Sequence, residues 1–187
     1  YFKTGHKKKI DNQIRLCFIA LNIEEKIKNY PMVYKVFQSL YKIDHRFEMV
    51  VIGNISEEYR DRYHHDRIIY KGPLEKKKVL EELQNAHIYF MPSLRETFGL
   101  VYVEAMSQGL PIIYTKGQGF DGQFPEGEIG YGVEPDQEQE MIDKIFEIIK
   151  NYSEMSRRAV ENAKKFNWKD ISREYIQLYD KIRREKR

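Results

Sequence analysis

The feature that most narrows what this chain can become is a repeated unit. A short apolar run is closed by glycine or proline, and a stretch with apolar residues at helical spacing follows. Ile14 to Ala20 is the first such run. Its near-continuous apolar character suits a strand buried on both faces rather than one with a wet side. Pro31 opens a helix in which Val33, Val36, Phe37 and Leu40 recur up to about Ile43. The grammar repeats in Phe47 to Ile52 closed by Gly53, Ile68 to Tyr70 closed by Gly72, and His87 to Met91 closed by Pro92. Pro111 to Tyr114 supplies a fifth strand and Gly130 to Val133 a short sixth. Helical patterns fall between them, marked by Val79, Leu80 and Leu83 and again from Val101 to Gln108. Alternation of this kind predicts an α/β fold, a doubly wound parallel sheet covered on both faces.

The last third turns helical, with Ile142, Ile145, Phe146 and Ile149 at core spacing and a further helix around Met155 to Lys165. A final amphipathic segment places Ile171, Tyr175, Leu178 and Ile182 on one stripe, for which packing on the chain's own sheet is the simpler reading. The expected organisation is a leader over residues 1–12 and one domain over 13–187, with its C-terminal helices from about 137.

Composition excludes several classes of function. With 41% hydrophobic and 33% charged residues, the 187-residue chain reads as globular and not disordered. A net charge of +3 is too small for a dedicated nucleic-acid binder. Much of the basic excess lies in His6 to Lys9 and Lys181 to Arg187, most simply solvated ends, with peripheral attraction to the inner, anionic membrane face as the alternative. Cys17 sits in an apolar run and reads as core. No stretch approaches the roughly 20 apolar residues of a membrane span, and a cytoplasmic location is expected.

In a doubly wound sheet, ligands gather outside the carboxyl ends of the strands. The loops there hold Asn22 to Asn29 with Lys26 and Lys28, Gly53 and Asn54, Ser93 to Leu100, and a loop with Gly117, Gly119 and Gly122. Gly99 stands near the start of the apolar helix that runs through Val101, Val103 and Met106. Unpaired backbone N–H groups at such a start, with the positive end of the helix dipole, make an anion site suited to a diphosphate. Glu104, flanked by Val103 and Ala105, is expected to be buried, and a buried carboxylate needs donors. A ribose diol supplies two, while Glu96 in the turn above can reach hydroxyls of a sugar beyond the diphosphate. Acids also favour first helical turns for purely structural reasons.

The segment from Pro92 to Ile113 resembles the signature of the large group of retaining glycosyltransferases with the two-domain GT-B fold, of which this chain would be one Rossmann-like domain. The likeness lies in Glu96 and Glu104 with seven residues between them, the pair Phe98 and Gly99, the run Glu104, Ala105, Met106, and the turn Gly109, Leu110, Pro111. Phe166, Asn167 and Trp168 resemble the aromatic turn before that family's last helix, and the resemblance extends from Ile14 through Lys181.

The resemblance implies that Glu96 faces the donor sugar, that Phe98, Gly99 and Leu100, with Thr97 beside them, bind sugar and diphosphate, and that Glu104 holds the ribose. Lys28 fits the family's phosphate-neutralising lysine, with Lys26 a lesser substitute, and Gly53 joins the donor site. Two departures stand out: Leu21 or Asn22 takes the place of the family's arginine, and its Gly-Gly-x-x-Glu becomes Gly117, Gln118, Gly119, Phe120, Asp121, Gly122. The implied reaction is retaining transfer from a nucleotide-diphosphate sugar to a glycan or glycolipid acceptor, with no cofactor and no metal required. The N-terminal acceptor domain of the same protein is the expected partner, since Tyr1 to Asn12 resembles the linker entering the second domain.

A nucleotide-sugar epimerase of related fold and a receiver-like regulatory domain using Lys116 are the alternatives, the latter lacking acids at Ala20, Leu21 and Asn22. His64 and His65 read as solvated surface, His87 as a satisfied core or edge histidine, and Trp168, Tyr175 and Tyr179 as packing.

Overall fold

The structure, a computed structural model, describes residues 10–185. Six parallel strands make one sheet: β1 (Ile14–Asn22), β2 (Phe47–Asn54), β3 (Ile68–Gly72), β4 (Ile88–Phe90), β5 (Ile112–Thr115) and β6 (Gly130–Val133). Their order is β3-β2-β1-β4-β5-β6, so the chain winds one way from β1 and the other way from β4. The doubly wound, Rossmann-like reading therefore holds. Among the described residues seven α-helices join and follow the strands: α1 (Tyr30–Ile43), α2 (Glu57–Arg62), α3 (Lys76–Asn85), α4 (Leu100–Ser107), α5 (Glu138–Lys150), α6 (Tyr152–Ala163) and α7 (Trp168–Glu185). The leader expected over residues 1–12 falls mostly outside the described residues, as does the basic run His6 to Lys9.

The central strands form because their side chains have no wet face to serve. Leu16, Cys17 and Phe18 of β1 lie beside Met49, Val50 and Val51 of β2, all buried, and Leu16 and Cys17 also neighbour Ile88 and Tyr89 of β4. Each such large side chain contributes roughly 1.5–3 kcal/mol when fully removed from water. Right-handed crossovers moving left from β1 and right from β4 place α1 and α4 on opposite faces. There α1 packs with α5 and α4 with α6. Helix α1 buries Val33, Val36, Phe37 and Leu40, as its spacing predicts.

Two elements depart from the sequence reading. Helix α2 was not anticipated, because it is six largely polar residues with none buried. It is held by Tyr59 and Tyr63, whose rings meet Tyr30 of α1, and Ser56 caps it by accepting from the Tyr59 N–H. Tyr70 spends its hydroxyl hydrogen on the Tyr63 carbonyl, so Tyr30, 2.6 Å away, must donate to Tyr70, and the buried cluster is satisfied.

The second departure is α7. Its stripe does not pack on the sheet: Tyr175, Leu178, Tyr179 and Ile182 are exposed, and Trp168 is 72% exposed. Reading these rings as internal packing is thereby corrected. The amphipathic pattern reported a helix correctly, but a pattern does not say which surface covers the stripe.

Candidate active site

The sheet order reverses between β1 and β4, and a crevice forms where the loops leaving those neighbouring strands diverge. A cleft of about 580 Å³ opens there, lined by Ile19, Ala20, Leu21, Lys28, Met91 and residues 96–101, with Trp168 at its rim. Six of the eight residues expected in the site therefore meet in one place: Lys28, Glu96, Thr97, Phe98, Gly99 and Leu100. Gly53 and Glu104 are not among the lining residues.

The β1 and β4 loops are stitched together before any ligand arrives. Leu94 N–H donates to the Ile27 carbonyl at 2.8 Å, and the Asn29 amide donates to the carbonyls of Pro92 and Pro135. Asn29 adopts a left-handed conformation, φ 58°, which asparagine tolerates better than most residues and which turns the chain from the loop into α1. These ties set Lys28 against Glu96, Nζ to Oε2 at 3.2 Å, with both side chains largely shielded from water. Lys26 does not line the cleft, so the geometry favours Lys28 as its cation. The other carboxylate oxygen of Glu96 accepts from Thr97 N–H at 3.0 Å.

Gly99 caps α4 with φ 74°, and a side chain there would strike the Tyr102 ring at 2.4 Å. Only glycine lets the helix start this close to the sheet with its backbone bare. Burial holds the Tyr102 hydroxyl protonated far above the usual phenol range, and it donates to the Met91 carbonyl at 2.8 Å. The base of the cleft is thus fixed to the end of β4.

The glycine-rich loop after β5 closes one side. A side chain on Gly119 would collide with the Thr97 carbonyl, so that loop lies directly on the Thr97 backbone. Gln118 accepts from the Glu96 N–H at 2.9 Å. Sequence reasoning missed Gln118; its place between two glycines after a strand was the available signal. Phe120 anchors the loop among Phe98, Tyr102, Tyr114 and Phe166. Trp168 was also missed as a cleft residue, although the aromatic turn that carries it was noted.

The remaining expectations are redistributed. Gly53 has a packing reason of its own, since a side chain there would meet the Ala20 carbonyl at 1.8 Å as β2 passes β1. Glu104 is not buried as expected: its side chain is a quarter exposed, in the second turn of α4, and it pairs with Lys76 of α3. At the position of the absent arginine, Leu21 is 82% exposed at the cleft. Asn22 instead accepts from the Glu24 N–H and lines a separate polar hollow at the ends of β1, β2 and β3. Lys116, the residue of the receiver-like alternative, pairs with Glu140 at 2.5 Å. His87 accepts from the Arg15 N–H through Nδ1. Among the described residues no group of three or more His, Cys, Asp and Glu stands together to hold a metal, and no helix is long and apolar enough to cross a membrane.

A doubly wound sheet with a switch-point cleft, a bare helix start and a facing lysine and glutamate defines a Rossmann-like α/β domain. Its sequence matches the family Glycosyl transferases group 1 over residues 5–166, and the chain belongs to that family. It is 32% identical over 133 residues to a subunit of the human phosphatidylinositol N-acetylglucosaminyltransferase, covering 68% of this chain and 27% of that one. Among solved structures it resembles the pneumococcal O-GlcNAc transferase GtfA, crystallised with UDP and GlcNAc. That likeness has a TM-score of 0.77 at 20% identity and covers 96% of this chain and 37% of the other. It also resembles the C-terminal domain of the group 1 glycosyl transferase LpcC from Francisella tularensis, with a TM-score of 0.69 at 20% identity, over 82% of this chain and 85% of that one. The chain spans about a quarter of the length of curated relatives that it matches.

Proposed function

We infer that these residues are the donor-binding half of a retaining glycosyltransferase that moves a sugar from a nucleotide diphosphate to a glycan or glycolipid acceptor. The observation that carries this reading is the Lys28–Glu96 pair held at 3.2 Å beside the bare start of α4, in the crevice where the strand order reverses. Departure of the nucleotide diphosphate builds negative charge on its oxygens. The N–H groups at the start of α4 and the Lys28 ammonium stand ready to stabilise that charge as it forms. Glu96 then faces the sugar, and Glu104, one turn further along α4, faces the ribose. The reading assigns no step to a metal or cofactor. It places the protein at a cytoplasmic site of polysaccharide or glycolipid synthesis, with peripheral membrane contact through its basic ends. It draws support from the family and from the UDP and GlcNAc bound by the GtfA neighbour.

The direct test is thermal unfolding with nucleoside diphosphates. A ligand at about 100 times its Kd adds about 2.7 kcal/mol to stability, which raises Tm by several degrees in a domain of this size. One of uridine, guanosine or adenosine diphosphate is expected to do so at millimolar concentration. Absence of a shift with all three overturns the reading.

A second expected result concerns Glu104→Gln, which keeps the shape and removes the charge. Binding of the active nucleotide should weaken by roughly 1 to 3 kcal/mol, the scale of a hydrogen bond to a charged group. Calorimetric titration with the 2',3'-dideoxy nucleotide is the control, on which variant and parent should agree. A variant that stays the weaker binder there removes Glu104 from the ribose.

A further inference from the structure

Lys76 is the first residue of α3, and its ammonium pairs with Oε1 of Glu104. Among the described residues no residue other than Lys76 pairs with that carboxylate, whose side chain is a quarter exposed, so Oε2 keeps lone pairs with which to accept. Three consecutive lysines, Lys76, Lys77 and Lys78, fill the first turn of α3, which holds no acid, and Glu75 at the cap makes no capping hydrogen bond. A helix start favours acids and disfavours cations. Where local preference is overridden at the carboxyl edge of such a sheet, function is the usual cause. The switch-point cleft, meanwhile, brings in one cation among the described residues, Lys28, and Glu96 already neutralises it.

We propose that Lys76 is a positioning residue of the nucleotide site, holding Glu104 by one oxygen and donating to the ribose. One ribose hydroxyl donates to Oε2 of Glu104, and the other accepts from Lys76. The inference rests on the nucleotide-sugar reading above. An ammonium carries three donors, and Oε1 takes one, which leaves two for the ligand. A carboxylate on its own only accepts, so a diol could meet it in either sense. An acceptor beside a donor gives each hydroxyl its own partner and fixes the face the ribose presents. The Lys76 side chain is 57% exposed, open to a ligand lying along α4 from the helix start to Glu104, about 6 Å away at 1.5 Å per residue.

The experiment uses the full-length protein and the nucleoside diphosphate that stabilises the parent, together with its 2',3'-dideoxy counterpart. Kd is measured for the parent, Lys76→Met and Lys76→Arg, with ligand-free Tm as the folding check. Lys76→Met is expected to weaken ribonucleotide binding about tenfold, the factor for one charged hydrogen bond, and dideoxynucleotide binding less than about twofold. Lys76→Arg should recover most of the loss. Tighter ribonucleotide binding by Lys76→Met would show that the lysine competes with the ribose and overturn the proposal. Equal losses on both nucleotides would make its effect one of charge or fold and would overturn it as well. If the parent binds neither nucleotide, the donor-site reading itself falls; if it binds and Lys76→Met matches it on both, only the role of Lys76 falls.

Discussion

Replacing Lys28 with methionine is expected to lower kcat/KM of the full-length enzyme by about 100- to 1,000-fold, the usual cost of removing one preorganised group that meets charge in a transition state. The reason is local. Lys28 is the one cation among the described residues that line the cleft, and Leu21 there is apolar, so little else shares the work. A simpler cause for the same loss must be separated. Lys28 also neutralises Glu96, and removing one member of a shielded pair leaves the other charge uncompensated. The double variant Lys28→Met with Glu96→Gln relieves that penalty. If Lys28 acts on the leaving group, the double variant is much slower than Glu96→Gln alone. If the pair only holds the two loops together, the double variant is no slower than Glu96→Gln alone, and the catalytic role of Lys28 is lost. Steady-state kinetics on Lys28→Met, Glu96→Gln and the double variant decides between these outcomes.

The difference between what the sequence disclosed and what it hid follows from how far apart the interacting residues lie. The central strands were legible because strands buried on both faces are mainly apolar, and Phe47 to Ile52, apolar but for Glu48, or Pro111 to Tyr114 can hardly be read otherwise. Helix α4 and its glycine start were legible for a similar reason, since cap, dipole and apolar face all lie within one short stretch. Helix α2 was not, because tyrosine rings from another helix hold it and no periodicity of its own does. The site divides in the same way. Glu96, Phe98, Gly99 and Leu100 belong to one local motif, whereas Lys76 stands 28 positions before Glu104 and Gln118 stands 22 beyond Glu96. An ion pair between helices leaves no spacing to read. Judging Glu104 from its neighbours also failed, because a helix buries a stripe: Val103 and Ala105 go inward while Glu104 turns toward α3.

Residues 1–187 on their own are expected to transfer no sugar, while still binding the nucleotide within a few-fold of the full-length protein. Transfer requires the acceptor hydroxyl to come within about 3 to 3.5 Å of the anomeric carbon, with water kept away from the leaving group. The cleft alone is expected to meet neither requirement. It is open, and its rim presents Leu21, Leu100 and Trp168 to solvent, apolar groups that gain about 25 cal/mol for each Å² covered. Helix α7 extends the same exposure through Tyr175, Leu178 and Tyr179. Relatives about four times as long as the matched stretch have ample chain to cover such a surface. We therefore expect closure by further chain, over this rim, to complete the active site. A transfer assay with one donor and one acceptor, run on the full-length protein and on residues 1–187, tests this, and calorimetry with the nucleotide runs in parallel. Retained nucleotide binding with turnover at least 1,000-fold lower, on the order of the effective-concentration gain that positioning supplies, is the expected result. Comparable turnover by the two would mean that these residues contain the whole catalytic apparatus. The open rim would then have to be read as the acceptor site itself.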